Sequence, residues 1–124
     1  KLPMNVEKTK AFYEKINHDD LCSCAYCQNY IKEIRSSYPT LAEYLERLGV
    51  DIEKPFETMP LEPDKTGYIE YLGSQYIVCG KRDAFEKTTI NDVNVDIALS
   101  HPPTGLEEEH FVIEIYPIRL KWVI

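Results

Sequence analysis

Gly67-Tyr68-Ile69-Glu70-Tyr71-Leu72-Gly73-Ser74-Gln75-Tyr76-Ile77-Val78-Cys79 is the stretch on which the reading of the fold turns. Before it, apolar residues recur at three-and-four spacing. From Gly67 onward the period is two, the signature of strands rather than helices. Gly73-Ser74 suits a two-residue hairpin turn between Tyr68–Leu72 and Gln75–Cys79, a register in which Tyr71 faces Tyr76 and Ile69 faces Val78. Toward the C-terminus, Val93, Val95, Ile97 and Leu99 alternate with Asn94, Asp96 and Ala98, as in a strand with one wet face. Phe111 to Tyr116 alternates again, and Leu120, Trp122 and Ile124 share a side. Pro117 stands between these two runs without turn chemistry around it, which predicts one bent or bulged strand with the proline at an edge. Ser100 to His110, with Pro102, Pro103 and Gly105, reads as the longest loop of this half.

Toward the N-terminus the pattern is helical. Asn5 suits an N-cap for a segment carrying Val6, Phe12, Tyr13 and Ile16, stopped by Asn17 to Asp20. A second helix opens near Ser23 or Cys24, because Cys27, Tyr30, Ile31, Ile34 and Tyr38 fall on one face, and Pro39 ends it. In the third, Thr40 and Glu43 match a capping box, Leu41, Tyr44, Leu45 and Leu48 form the apolar stripe, and Gly49 takes the C-terminal cap position. Residues 50–66, with Pro55, Pro60 and Pro63, suit an extended surface connection. The expected fold is α+β in a single domain, 1–124: an N-terminal half of about three helices packed on a C-terminal antiparallel sheet of about four strands.

The composition narrows the function classes. With 124 residues, 44% hydrophobic and 28% charged, the chain is ordinary for one soluble globular domain and unlike disordered or disulfide-dense chains. Asp and Glu number 21 against 14 Lys and Arg, and the net charge of -7 opposes binding to a phosphate backbone, so no nucleic-acid partner is expected. No apolar run approaches the ~20 residues of a membrane helix, and the cytoplasm is the default expectation. The chain begins at Lys1 rather than Met, so its start sets no limit on what precedes it. Only five glycines are present, with no phosphate loop and no dinucleotide fingerprint, and no Ser/His/Asp arrangement stands out.

The least random feature is Cys22-Ser23-Cys24-Ala25-Tyr26-Cys27, which holds three of the four cysteines. A tight turn running into a helix N-terminus aims three sulfurs at one point, and the helix dipole favours their thiolate forms. Thiolates select zinc or another thiophilic metal, and a closed tetrahedral site needs a fourth ligand, for which Cys79 and His18 are the candidates. One C-x2-C with an added C-x-C is less than the paired knuckles of a zinc ribbon. Two other readings stay open: reduced core thiols, since Cys27 lies on the apolar face and Cys79 ends an apolar strand, and a redox pair at Cys24 and Cys27.

These residues also carry a resemblance. Cys22, Cys24, Cys27, Asn29 and Tyr30 match C-x-C-x2-C-x-N-[FY], and Leu48-Gly49-Val50-Asp51 with Lys54, Pro55 and Glu57 matches a L-G-[IV]-D-x2-K-P-x-E segment. An aromatic strand ending in glycine follows, here Tyr76 to Gly80. In these motifs, over roughly residues 20–80, the chain resembles an uncharacterised bacterial family with no assigned activity. The resemblance implies that the cysteine triplet acts as a unit and implies no substrate.

The remaining candidates read more plainly. His101 and His110 suit solvated or locally bonded histidines, and Glu107, Glu108 and Glu109 a charged loop, with Glu114 beyond it. Lys54, Pro55 and Glu57 are placed to support the metal ligands from behind, or simply to form a helix-exit turn. Of the nine tyrosines, Tyr13, Tyr26, Tyr30, Tyr38 and Tyr44 crowd the helical half, mostly as core margin. The function expected is that of a small metal-binding protein, with structural zinc. The alternative is an acidic module that binds a protein partner, its cysteines being core thiols. An enzyme would need an open metal position with water beside Glu57, His18 or Asp20, and no general base is positioned by the sequence.

Overall fold

The stretch that reads as a hairpin is a single strand. In a computed structural model describing residues 4–124, Tyr68–Cys79 runs unbroken as β2, the longest strand of the sheet, with Gly73 and Ser74 in its interior. Ser74 opposes Thr58 on one side and Ile115 on the other. Gly73 serves a close approach and no turn: a Cβ there would stand 2.7 Å from Glu114 Oε2 and 2.9 Å from Met59 Cε.

The helices precede the sheet: α1 (Val6–Glu14), α2 (Ala25–Ser37) and α3 (Pro39–Arg47). The remaining strands are β1 (Glu57–Pro60), β3 (Thr88–Ile90), β4 (Val93–Ile97), β5 (His110–Tyr116) and β6 (Ile118–Lys121). All pairings are antiparallel, in the order β1-β2-β5-β4-β3, with β6 also on β2. The α+β class holds, and the sheet has six strands where the periodicity suggests four. β1 comes from the segment expected to be a surface connection. β3 joins β4 through Asn91-Asp92, whose φ angles of 52° and 63° suit a two-residue hairpin turn. β4 ends at Ile97, which leaves Leu99 fully exposed and buries Ala98 in its place.

β5 and β6 flank a cis Tyr116-Pro117 bond and keep one register against β2, with Ile115 opposite Ser74 and Ile118 opposite Tyr71. They form the bent strand that the proline predicts. The outer neighbour, β4, pairs only as far as Tyr116, so the residue without an N–H sits where that ladder ends. Here the inward face skips one residue in both strands. Ile69 and Tyr71 are buried opposite Leu120 and Ile118, then Tyr76 and Val78 opposite Ile113 and Phe111.

The helix ends follow local chemistry. Asn5 caps α1, its side-chain oxygen accepting the Lys8 N–H at 3.0 Å. The Thr40–Glu43 capping box does not form, because α3 starts two residues earlier, with Pro39 in its first position and Tyr38 serving as both the end of α2 and the cap of α3. Gly49 ends α3 at φ 91°, where the Gly49 N–H donates to Glu46 O and the Val50 N–H to Leu45 O, the two bonds of a Schellman motif. A Cβ on Gly49 would lie 2.6 Å from the Val6 carbonyl oxygen, so α1 packs directly on this turn.

The main core lies between the helices and one sheet face, with Tyr30, Ile34, Leu41 and Leu45 against Tyr71, Tyr76, Ile113, Ile115, Ile118 and Leu120. On the other face, Ile77, Val112 and Ala98 are covered by Phe12, Phe56 and Leu106. α1 also completes the sheet. β1 pairs with β2 only up to Gln75, and beyond it the Tyr13 hydroxyl accepts the Ile77 N–H (2.9 Å) and donates to the Ile77 carbonyl (2.8 Å). Thr9 Oγ1 accepts the Cys79 N–H at 2.9 Å. Among the described residues no helix is long and apolar enough to cross a membrane.

Two stability tests follow from this packing. Tyr13→Phe leaves the buried Ile77 N–H and carbonyl without their partner and should cost about 2–4 kcal/mol in urea unfolding, read as a lower midpoint at constant slope. Gly49→Ala combines a left-handed backbone with a collision against α1 and should cost about 2–4 kcal/mol. Gly67→Ala at φ 85°, with nothing within 4 Å, should cost only about 1 kcal/mol. Equal losses at the two glycines would show that the contact with α1 contributes nothing.

Candidate metal centre

Cys22, Cys24 and Cys27 converge because the chain turns sharply into α2. Cys24 is the N-cap: its backbone is extended and its Sγ accepts the Cys27 N–H at 3.4 Å. Gln28, on the first turn, reaches back and donates from Nε2 to the Cys22 carbonyl at 2.9 Å, while its own N–H bonds the Cys24 carbonyl. The turn is thus held from within the helix it precedes. The result is three sulfurs within 4.8 Å of one another. A zinc tetrahedron with Zn–S of ~2.3 Å spaces its sulfurs ~3.8 Å apart, so about 1 Å of movement suffices to seat an ion among them.

The three thiols differ in environment. Cys22 and Cys24 are exposed and Cys27 is half-buried, and all are free thiols. The Cys24 backbone N–H, followed by the Cys24 and Cys27 thiols, holds the Cys22 thiol below the ordinary cysteine range, while the Glu57 carboxylate opposes this weakly. Burial pushes the Cys27 thiol up to about 12, against the pull of the Thr58 hydroxyl, whose Oγ1 lies 3.5 Å from Cys27 Sγ. Cys22 is therefore the easier of the two to ionise, and Cys27 needs a cation beside it.

The cluster forms one wall of a cleft of about 330 Å³. Leu21 and Ile31 line its side, and the opposite wall is β1 with its approach: Pro55, Phe56, Glu57, Thr58 and Pro60. Asp20 and Glu57 bring carboxylates to it. Neither proposed fourth ligand joins the sulfurs. Cys79 is buried at the far end of β2, opposite His110, where its N–H is bonded by Thr9 and burial raises its thiol. Five residues of strand separate it from Ser74, the partner of Thr58, roughly 16 Å along the sheet. The continuous β2 carries that end of the strand away from the cluster. His18 lies on a short 3-10 turn (His18–Asp20), exposed and outside the cleft lining.

The other candidates are bonded elsewhere. Lys54 does not support the cysteines: its Nζ donates to the Tyr13 carbonyl at 2.9 Å. Asp51 accepts from the Glu53 N–H and from Arg35. His101 bonds the Pro102 carbonyl, and His110 bonds Thr104 Oγ1 and the Glu108 carbonyl. Glu108 pairs with Lys8 at 2.8 Å on an exposed surface, a contact of little energetic weight. Sequence reasoning missed Gln28 and Thr58. Gln28 is legible in hindsight, since a glutamine four residues after an N-cap can fold back over the turn. Thr58 is not, since its contact depends on β1 entering the sheet.

Asn29 and Tyr30 of the same motif hold the helix down. The Asn29 amide donates to the Lys121 carbonyl and accepts the Val123 N–H, both at 2.8 Å, and the Tyr30 hydroxyl lies 2.6 Å from that of Tyr76, which donates to the Ile52 carbonyl. No described protein family, curated protein or solved structure matches the chain.

The thiol environments predict an order of alkylation in metal-free, reduced protein. Iodoacetamide at pH 7 should modify Cys22 well before Cys27 and Cys79, as mapped by mass spectrometry of peptides. Cys27 reacting as fast as Cys22 would contradict the burial seen here.

Proposed function

We propose that this protein binds a thiophilic divalent ion, zinc in the cell, through Cys22, Cys24 and Cys27, and that the ion's role is structural. The observation that carries the reading is the convergence of three sulfurs within 4.8 Å at the mouth of α2. Three thiolates without an imidazole among them favour zinc over the hard cations, which take oxygen. The free N–H groups and positive dipole end of α2 offset part of the negative charge that three thiolates concentrate there.

A second feature says what the ion would be for. From Glu14 to Gln28 no residue is buried. The segment between α1 and the body of α2 is therefore held by partly buried side chains such as Ile16 and Tyr26 alone, and its one short turn buries none. A metal tying Cys22, Cys24 and Cys27 together supplies that missing order, because binding to thiolates is coupled to local folding. The rest of the domain has its own core and folds without the ion.

The test is metal content combined with stability. Protein purified without added metal should carry a single zinc per chain. Chelation should then lower the melting temperature and raise hydrogen exchange across residues 17–38 while leaving β2 and β5 protected. With free zinc a hundredfold above its dissociation constant the stabilisation is ~2.7 kcal/mol, or roughly 10 °C for a domain of this size. Cys24→Ser should abolish that increment. Metal-free protein whose four thiols titrate freely on denaturation, with a melting temperature indifferent to zinc, would overturn the proposal.

A further inference from the structure

Three thiolates leave one position of a tetrahedron unfilled, and this inference rests on the metal-binding reading above. A ligand for that position has to reach the cleft that the sulfurs line. Among the described residues, two others with metal-binding side chains line it, Asp20 and Glu57, and neither carboxylate belongs to the group of ligand atoms within 4.8 Å of one another, so the one that closes the site has to swing in. Asp20 is already engaged: its Oδ2 accepts the Asn17 N–H at 3.0 Å, closing a capping box on its own turn. The Glu57 side chain makes no hydrogen bond or ion pair among the described residues, so its carboxylate is free to turn toward an ion.

The backbone of Glu57 is also the better anchored. It pairs with Gln75 in the β1–β2 ladder, the preceding Phe56 N–H bonds the Gln75 carbonyl at 2.7 Å, and the following Thr58 touches Cys27 Sγ. The Glu57 side chain leaves β1 on the side opposite that of Thr58, so it reaches the cleft around the sheet edge, from a backbone that is already fixed. A ligand on an exposed turn such as His18 has more freedom to lose.

We propose that Glu57 supplies the fourth ligand, closing a Cys3Glu site that ties the edge strand β1 to the mouth of α2. Two consequences distinguish this site from an open one. The ion joins two segments separated by about thirty residues, so it stabilises tertiary structure as well as the local turn. With four protein ligands in place, no coordination position remains for a substrate or an activated water, and the centre is structural rather than hydrolytic.

Cobalt(II) titrated anaerobically into the reduced full chain tests this, with zinc displacing it to give affinities. Wild-type protein should show a thiolate-to-cobalt charge-transfer band and tetrahedral d–d absorption. Glu57→Gln should keep the charge-transfer band, shift the d–d absorption, and weaken binding by roughly tenfold or more, since loss of even an outer partner costs that much. His18→Ala and Asp20→Asn should bind as wild type. Glu57 is exposed and unpaired, so Glu57→Gln should melt with wild type when metal-free, which separates a ligand effect from misfolding. A charge-transfer band with unchanged affinity and spectrum in Glu57→Gln would overturn the assignment of Glu57 and leave the three-cysteine site standing. A loss confined to His18→Ala or to Asp20→Asn would assign the fourth ligand elsewhere. Absence of the band from wild type would overturn both readings.

Discussion

Helix α1 owes its place to the edge of β2 that no strand covers, and much of the fold follows it. β2 is the spine of the sheet, yet β1 covers its outer side only from Tyr71 to Gln75. Beyond that point the strand would present bare backbone groups, costly where water is excluded. Helix α1 takes the place of a strand there. The Tyr13 hydroxyl serves both polar groups of Ile77, Thr9 accepts from Cys79, and the Asn5 N–H donates to the Cys79 carbonyl. A helix can replace a strand in this way only if two of its side chains, one turn apart, carry hydroxyls at the right height. Thr9 and Tyr13 are four residues apart, and both are buried.

Much of the architecture follows from pinning α1 to that edge. The turn after α3 has to pass against Val6 and Thr9, where only glycine fits. The chain leaving α1 then has to cross to the start of α2 beside β1, over a stretch with no fully buried residue. That crossing carries Cys22 and Cys24. The cysteine cluster therefore sits at the least supported corner of the molecule, above an otherwise well-packed core. Gln28 holds its turn, while Asn29 and Tyr30 fasten the following helix to the C-terminal strand and to the hydroxyl relay of Tyr76. The motif C-x-C-x2-C-x-N-Y divides into a half that faces the cleft and a half that anchors it.

The electrostatics of the corner agree with a cation as its occupant. In a chain of net charge -7, three thiols and two carboxylates share one cleft, with no lysine or arginine among its lining residues. Without a cation these groups repel one another's ionised forms, and burial holds Cys27 protonated. With a divalent ion present the same crowding becomes attraction. Carboxylates beside a metal-free thiol cluster need no cation to be stable, because they remain exposed to water, so their placement does not strain the fold.

The local features were legible in the sequence. Helix starts and stops followed from Asn5, Cys24, Pro39 and Gly49, because capping is decided within a few residues of the cap. The change of period at Gly67 and the bend at Pro117 followed from side-chain spacing and a missing N–H. The convergence of Cys22, Cys24 and Cys27 followed from a short spacing at a helix mouth. The non-local features came from packing. A two-residue hairpin turn and a one-residue slip in alternation bury the same Ile69, Tyr71, Tyr76 and Val78, so burial pattern alone does not distinguish them. The close approach of Glu114 and Met59 to Gly73 does. The entry of Glu57–Pro60 into the sheet depends on a partner strand ten or more residues away. With it came Thr58 and Glu57 as neighbours of the cysteines, and with the continuity of β2 Cys79 was carried out of reach. Short-range chemistry is encoded in neighbouring residues, whereas strand pairing depends on which distant edge is free, and that is settled only when the chain has packed.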